Sequence, residues 1–123
     1  PKAVVAVLDE TGQPLSRHSI EVEQRIAPDV ASTLVRAMEA AMRYGTGRGS
    51  RFARAGVAGK TGTTDDYRDS WFAGFDGVHL VVTWIGTDDN QPTQLSGATG
   101  ALKVWDAIMT RLAVRPLHHP PSN

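Results

Sequence analysis

One short segment, Gly59-Lys60-Thr61-Gly62-Thr63-Thr64, concentrates residue types that could bind a substrate and take part in its reaction. A lysine ammonium raises the local positive potential for a carboxylate and assists proton transfer around a serine. Alternate residues of a strand point to one face, so the hydroxyls of Thr61 and Thr63 could hold one carboxylate together. Gly62 has no side chain, so a substrate backbone can lie against the strand. The segment predicts a carboxylate-binding strand beside an acyl-transfer site.

A phosphate-binding loop is the alternative interpretation of this segment, because Gly59-Lys60-Thr61 matches the end of its G-x-x-x-x-G-K-[ST] pattern. The first glycine of that pattern would fall on residue 54, which is Arg54. A helix should follow the loop, but Gly62 comes at once and the next residues are poor helix formers. The preceding residues 51–54 do not form a buried strand pattern. The phosphate-binding interpretation is therefore rejected.

The elements before the segment are predicted to be a β-hairpin and a helix. The apolar run Ala3–Leu8 is typical of a strand buried on both faces, and a second strand around Leu15–Ile20 would complete the hairpin. Pro28 suits the first position of a helix, and Gly45 suits its end. Apolar residues at helical spacing predict a buried stripe made of Val30, Leu34, Ala37, Met38, Ala41 and Met42.

The elements from the segment onward are predicted to be three strands and a second helix. The segment itself lies in a strand, Ser70–Phe75 and Val78–Ile85 form a hairpin around Asp76-Gly77, and Ala98–Leu112 forms the helix. The order predicts an α+β fold with helices packed on one antiparallel sheet. The run Leu80–Ile85 is predicted to be buried, and the core is predicted to include Trp71, Phe72, Trp84 and Trp105.

Composition limits the remaining possibilities. The chain has 123 residues, which is room for one domain, and its 13 basic and 13 acidic residues balance, so no general attraction to nucleic acid or to an anionic membrane is expected. The absence of cysteine excludes disulfides, thiolate metal sites and cysteine catalysis. No metal site or cofactor is expected, because the acidic group at 65, 66 and 69 offers too few ligands. Residues 113–123, rich in proline, are predicted to be a disordered tail.

The longer sequence around the lysine segment resembles the class A penicillin-binding proteins, whose motif set includes Lys-Thr-Gly. The runs that carry the resemblance are Ala58–Thr64, Asp69-x-Trp71-Phe72-Ala73-Gly74 and Trp84-Ile85-Gly86-x-Asp88. Three further runs are similar to the 1b type: Arg43-x-Gly45-Thr46-Gly47-Arg48, Asp88-Asp89-Asn90-Gln91-Pro92-Thr93 and Gly97-Ala98-x-Gly100-Ala101. The resemblance implies that residues 1–112 are the C-terminal part of a transpeptidase domain, with part of the serine β-lactamase and penicillin-binding transpeptidase fold.

The resemblance also implies roles for individual residues. Lys60 would be catalytic, contacting the active-site serines and the substrate carboxylate. Thr61 and Thr63 would bind the terminal carboxylate of a D-Ala-D-Ala stem peptide or of a β-lactam, Gly62 would allow close approach, and the Thr63 N–H would form half of an oxyanion hole. The intact protein would cross-link peptidoglycan by serine acyl transfer on the periplasmic face of the bacterial inner membrane. Its glycosyltransferase domain and membrane anchor would lie outside this chain.

The sequence departs from the family pattern in one important respect. Of its three lysines, none follows a serine by three residues, so S-x-x-K is absent, and Ser122-Asn123 does not supply the second motif. The nucleophilic serine is expected in a missing N-terminal part of the same domain, which would be the main partner of this chain. Alone, the chain is expected to be inactive and marginally stable or self-associating. The alternative function is a non-catalytic penicillin-binding-like module that senses peptides.

Overall fold

Two antiparallel sheets and two helices make up the fold, as described by a computed structural model that covers residues 6–17 and 22–118. The elements in chain order are β1 Ala6–Leu8, β2 Pro14–Arg17, α1 Pro28–Arg43, β3 Ala58–Thr63, β4 Ser70–Phe75, β5 Leu80–Ile85 and α2 Ala101–Leu112. This arrangement confirms the predicted α+β class with helices packed on an antiparallel sheet.

The larger sheet has the order β3-β4-β5, and both strand pairs are antiparallel. Lys60 pairs with Ala73, and Ala73 pairs in turn with Val82. The turn between β4 and β5 is closed by Asp76, whose carboxylate accepts hydrogen bonds from the backbone N–H groups of residues 78 and 79 at 2.8 and 2.6 Å. The Asp76-Gly77 sequence thus forms the predicted hairpin, with β5 beginning two residues later than expected.

Both helices cover the same face of this sheet. The core residues are Met42, Val57, Phe72, Ala101, Leu102, Trp105 and Met109. The rings of Phe72 and Trp105 pack edge to face with centroids 5.1 Å apart. Gly74 is required beneath them, because a Cβ there would lie 2.6 Å from the Phe72 ring and 2.8 Å from the Trp105 ring. The predicted core positions of Phe72 and Trp105 are therefore confirmed.

The opposite face of the sheet, here called the outer face, is open. Its large apolar residues Trp71, Leu80, Val82 and Trp84 are between 43% and 72% exposed. The predictions that Trp71 and Trp84 belong to the core and that the whole run Leu80–Ile85 is buried are wrong. Alternate residues of β5 point to opposite faces, and the helices cover one face, so Thr83 is the buried residue of the strand.

The helix α1 has the predicted bounds but a shorter buried stripe than expected. It begins at Pro28 and ends at Arg43, where Met42 is fully buried against Gly59 of β3. Val30 and Leu34 in its N-terminal half are more than half exposed, and Ala37 is exposed too. The contact with β3 therefore buries the end of the helix and leaves its beginning uncovered.

The small hairpin of β1 and β2 is exposed rather than buried. Val7 and Leu8 are about half exposed, so the predicted burial of this strand on both faces is wrong for its described part. The carboxylate of Asp9 closes the turn by accepting hydrogen bonds from the N–H groups of Thr11 and Gln13. Residues 3–5 of the predicted first strand and 18–20 of the second lie outside the described residues.

The segment 113–118 follows α2 and is hydrogen-bonded to the sheet end, where a disordered tail was predicted. The N–H of Gly77 donates to the Arg115 carbonyl, and the N–H of Leu117 donates to the Gly56 carbonyl, both at 2.7 Å. Gly56 has a φ of 68°, and a Cβ there would lie 3.1 Å from Pro116. Residues 119–123 of the predicted tail lie outside the described residues.

Candidate functional site

The Lys60 segment forms β3, which is an edge strand paired with β4 on one side. The N–H of Thr64 donates to the Asp69 carbonyl across this pair. Hydrogen-bonded and non-hydrogen-bonded pairs alternate along an antiparallel ladder, so the backbone groups of Thr61 and Thr63 point away from β4. These two residues therefore present N–H and C=O groups at the free edge of β3.

The Lys60 side chain starts on the outer face and reaches this free edge. Its Nζ donates a hydrogen bond to the Thr61 carbonyl at 2.7 Å. The side chain is exposed, and within residues 6–17 and 22–118 it forms no ion pair with an acidic group. The ammonium is therefore available to an anion that approaches the edge of the strand.

The hydroxyls of Thr61 and Thr63 lie on the other face, toward the helices. Thr61 Oγ1 is 2.6 Å from Thr46 Oγ1, and Thr63 Oγ1 accepts a hydrogen bond from the Gly97 N–H at 3.0 Å. Both threonines retain solvent exposure. Each hydroxyl is thus fixed by one partner from a separate loop, and each keeps a side open to a ligand.

Gly62 lies between the two threonines, on the outer face of the strand. A Cβ at this position would lie 3.1 Å from Trp71 Cβ on the neighbouring strand. A larger residue would push against Trp71 and fill the space beside the edge. Glycine at this position therefore leaves the outer face of the strand free of a side chain beside the edge.

The loop that carries Gly97 packs tightly on β3 and β4. A Cβ at Gly97 would lie 2.6 Å from the Trp71 carbonyl oxygen and 2.8 Å from Thr61 Cβ. Ser70, fully buried, holds this loop: its hydroxyl donates to the Ser96 carbonyl at 2.7 Å and accepts from the Ala101 N–H at 2.9 Å. The Ser70 hydroxyl therefore has a structural role and is not placed as a nucleophile.

Other polar residues considered from the sequence have structural partners. Ser50 donates to the Asp106 carboxylate at 2.5 Å, and the Arg51 side chain donates to Thr110 Oγ1 at 3.2 Å. The ring of His79, for which the sequence suggests no partner, lies 3.1 Å from a carboxylate oxygen of Asp76. Among the described residues there is no group of three or more histidine, cysteine or acidic side chains that could hold a metal ion.

Thr46 and Gly97 contact the candidate site residues, and sequence reasoning did not single out either of them. Both belong to runs that carry the family resemblance, Arg43–Arg48 and Gly97–Ala101, but nothing in their spacing predicts contact with β3. The structure brings them to Thr61 and Thr63 across sequence separations of 15 and 34 residues. Together with Lys60, the hydroxyls of Thr61 and Thr63 form a cluster of hydrogen-bond donors suited to a carboxylate.

The helices in the described part of the chain are too short or too polar to cross a membrane.

No protein-family model matches the chain. The chain is 46% identical over 105 residues to penicillin-binding protein 1B of Vibrio cholerae, covering 84% of this chain and 14% of that protein. It is 36% identical over 121 residues to penicillin-binding protein 1B of Escherichia coli, covering 97% of this chain and again 14% of the relative. The chain therefore spans about one seventh of the length of these relatives.

A solved structure has the same fold. The crystal structure of penicillin-binding protein 1A from Haemophilus influenzae superimposes with a TM-score of 0.70 and 22% identity, covering 99% of this chain and 25% of that one. The fold agrees with part of a penicillin-binding transpeptidase domain. The chain belongs to the class A penicillin-binding proteins.

Proposed function

We propose that this chain is the C-terminal part of the D,D-transpeptidase domain of a peptidoglycan-synthesising class A penicillin-binding protein. It supplies the carboxylate-binding groups and half of the oxyanion hole, while the nucleophilic serine belongs to the N-terminal part of the same domain. The observation that carries the proposal is the free edge of β3, where Lys60, Thr61 and Thr63 bring together an ammonium, two hydroxyls and outward-facing N–H groups.

The substrate in this proposal is a stem peptide that ends in D-Ala-D-Ala. Its backbone lies along the free edge of β3, over Gly62, and makes main-chain hydrogen bonds to the strand. Its terminal carboxylate accepts hydrogen bonds from the hydroxyls of Thr61 and Thr63. The Lys60 ammonium adds a favourable electrostatic interaction with the same anion. A β-lactam, which carries a carboxylate next to a reactive amide, binds in the same way.

The reaction is acyl transfer through a serine ester. The serine oxygen adds to the carbonyl carbon of the penultimate D-Ala, and the peptide bond to the terminal D-Ala breaks as its nitrogen takes up the serine proton. An amine of a second stem peptide then displaces the serine, which regains a proton. The outward-facing N–H of Thr63 donates to the oxyanion that forms in each half of the reaction. Lys60 contacts the active-site serines and assists proton transfer around them.

The location and partners follow from this assignment. The full-length protein acts on the periplasmic face of the bacterial inner membrane, held by an anchor outside this chain and accompanied by a glycosyltransferase domain. The N-terminal part of the transpeptidase domain is the partner that covers the outer face. The exposure of Trp71, Leu80, Val82 and Trp84 supports this, because such a continuous apolar surface favours burial against another polypeptide segment.

Acylation by a labelled penicillin, followed by intact mass, tests the proposal in the full-length protein that carries this segment. Lys60→Ala should slow acylation by about a hundredfold or more, the usual effect of removing a side chain that assists proton transfer in the reaction. Lys103→Ala, which removes an exposed lysine of α2, is the matched control and should acylate at the wild-type rate. Near-normal acylation of Lys60→Ala would refute the assignment of Lys60.

A non-catalytic peptide-sensing module is the second candidate, and it requires that the full-length protein lack the nucleophilic serine. It predicts that a full-length protein binds D-Ala-D-Ala peptides without being labelled by penicillin. Labelling of the isolated 123-residue chain would contradict both candidates, because one of its own residues would then be the nucleophile.

A further inference from the structure

The hydroxyl of Thr61 is hydrogen-bonded to the hydroxyl of Thr46, and the direction of that bond determines what Thr61 can do. The two oxygens are 2.6 Å apart, and either could donate. A hydroxyl has one proton to donate and two lone pairs that accept. If Thr61 donates to Thr46, its proton is used within the chain. If Thr46 donates to Thr61, the Thr61 proton is free to point to a ligand.

Thr63 provides an internal comparison for this argument. Its oxygen accepts a hydrogen bond from the Gly97 N–H at 3.0 Å, and a backbone N–H cannot become an acceptor. The Thr63 proton is therefore not used in that bond and remains available. A carboxylate accepts and never donates when it is ionised, so it binds two hydroxyls that both offer protons. Thr61 meets this condition when Thr46 is the donor.

We propose that Thr46 is a positioning residue that orients the Thr61 hydroxyl as a hydrogen-bond donor to the substrate carboxylate. The proposal rests on the function proposed above. It adds the connector between α1 and β3 to the specificity-determining groups of the site. The chain of bonds runs from Thr46 to Thr61 to the anion, and each bond strengthens the next by polarisation.

The backbone holds Thr46 in place independently of its side chain. The N–H groups of Gly45 and Gly47, on either side, both donate to the Ala41 carbonyl at the end of α1 at 3.1 Å. Gly47 packs against Met42, where a Cβ would lie 2.6 Å from the sulfur. The Thr46 side chain itself is exposed. Replacing Thr46 by valine, which has nearly the same shape, therefore removes the hydroxyl and leaves the connector folded.

The test measures acylation rates of the full-length protein with a penicillin and with the methyl ester of the same penicillin. Thr46→Val should slow acylation by the penicillin about tenfold, equivalent to about 1.4 kcal/mol, the size of one net hydrogen bond. Thr46→Ser, which retains the hydroxyl, should react within about twofold of the wild-type rate, a much smaller change than the roughly tenfold loss expected for Thr46→Val. The ester has no carboxylate, so Thr46→Val and wild type should react with it alike.

Thr33→Val is the matched control, because Thr33 donates its hydroxyl to the Asp29 carbonyl on the exposed part of α1. It should leave both rates unchanged. If penicillin acylates Thr46→Val at the wild-type rate but acylates Thr61→Val slowly, the inference is overturned and the proposed function stays intact. Equal slowing of penicillin and ester would also overturn it, by indicating a general structural role. A wild-type protein that penicillin does not acylate would refute the proposed function, and this inference with it.

Discussion

Replacing Asp76 by asparagine should release the segment 113–118 from the sheet while the turn between β4 and β5 stays closed. One carboxylate oxygen of Asp76 accepts from the N–H groups of Val78 and His79. The other accepts from the N–H of Arg115 at 2.8 Å. The amide oxygen of asparagine can replace the oxygen that binds Val78 and His79, but the NH₂ group cannot accept a hydrogen bond from the Arg115 N–H. Rotating the amide so that its oxygen and NH₂ group exchange places would restore the bond from Arg115 and lose the bonds from Val78 and His79.

The size of the effect follows from these contacts. The Asp76 side chain is buried, so the variant loses a hydrogen bond to an ionised group and leaves the Arg115 N–H without its acceptor. Together these cost about 2–3 kcal/mol. The equilibrium constant for local opening of the segment should then rise by about 30- to 150-fold.

Amide hydrogen exchange at single-residue resolution, on the full-length protein, measures this directly. The amides of Arg115 and Leu117 should exchange faster by the factor given above, while those of Val78 and His79 change little. Asp66→Asn is the matched control, because Asp66 is exposed and its contact with Arg68, at 3.9 Å, contributes little. Unchanged exchange at Arg115 in Asp76→Asn would refute the reasoning.

The same carboxylate predicts how protection of the segment depends on pH. Burial by itself would raise the pKa of Asp76, but hydrogen bonds from the N–H groups of Arg115, His79 and Val78 outweigh it and hold the pKa well below its ordinary value of 3.8. The stabilisation is therefore present above pH 3.8 and is lost as the pH falls below that value. Protection at Arg115, corrected for intrinsic exchange, should weaken progressively as the pH falls from about 4 toward 2 in wild type and change less in Asp76→Asn.

Two further substitutions test the support of the carboxylate-binding groups. Gly97→Ala places a Cβ 2.6 Å from the Trp71 carbonyl oxygen, so it should lower both the rate of acylation by penicillin and the melting temperature. Gly49→Ala is the control: a Cβ there has no heavy atom within 4 Å, so neither quantity should change. Ser70→Ala removes the hydroxyl that joins β4 to the Gly97 loop and should cost about 2–3 kcal/mol, detectable by denaturant unfolding; a loss below 0.5 kcal/mol would contradict the role given to this hydroxyl.

Local patterns predicted the larger elements accurately. Pro28 and Gly45 bracket α1, and Ser70–Phe75 is β4 as predicted. These signals are local: a fixed proline φ, a glycine after the last turn, and apolar runs separated by Asp76-Gly77. The proposal that β3 carries the functional groups rests on the Lys-Thr-Gly motif and the family resemblance, because periodicity alone does not distinguish this strand from the others.

Burial was predicted less well, and the error has one physical cause. Apolar runs such as Leu80–Ile85 indicate a strand that favours cover on both faces. The chain covers one face with α1 and α2, so Leu80 and Trp84 stay exposed although their sequence is that of a buried strand. Apolar periodicity reports which surfaces favour burial, and it cannot report whether the same chain supplies the cover.

Long-range contacts between loops were not predictable from the sequence. The hydrogen bond between Thr46 and Thr61 depends on where the connector after α1 lies relative to β3. The contact of Pro116 with Gly56 depends on where α2 ends. Proline in the C-terminal segment suggests disorder when read locally. The structure shows why a glycine stands at position 56: its φ is 68°, and a Cβ there would lie 3.1 Å from Pro116.

The uncovered outer face and Lys60 of the proposed site belong to one surface. Lys60 and Gly62 alternate with Thr61 and Thr63 along β3, so Lys60 leaves the sheet on the same face as its cross-strand neighbours Ala73 and Val82. A polypeptide segment that covers this face would exclude water beside the ammonium and strengthen its interaction with an anion. Under the proposed function, burial of the apolar face and completion of the site are therefore one assembly step.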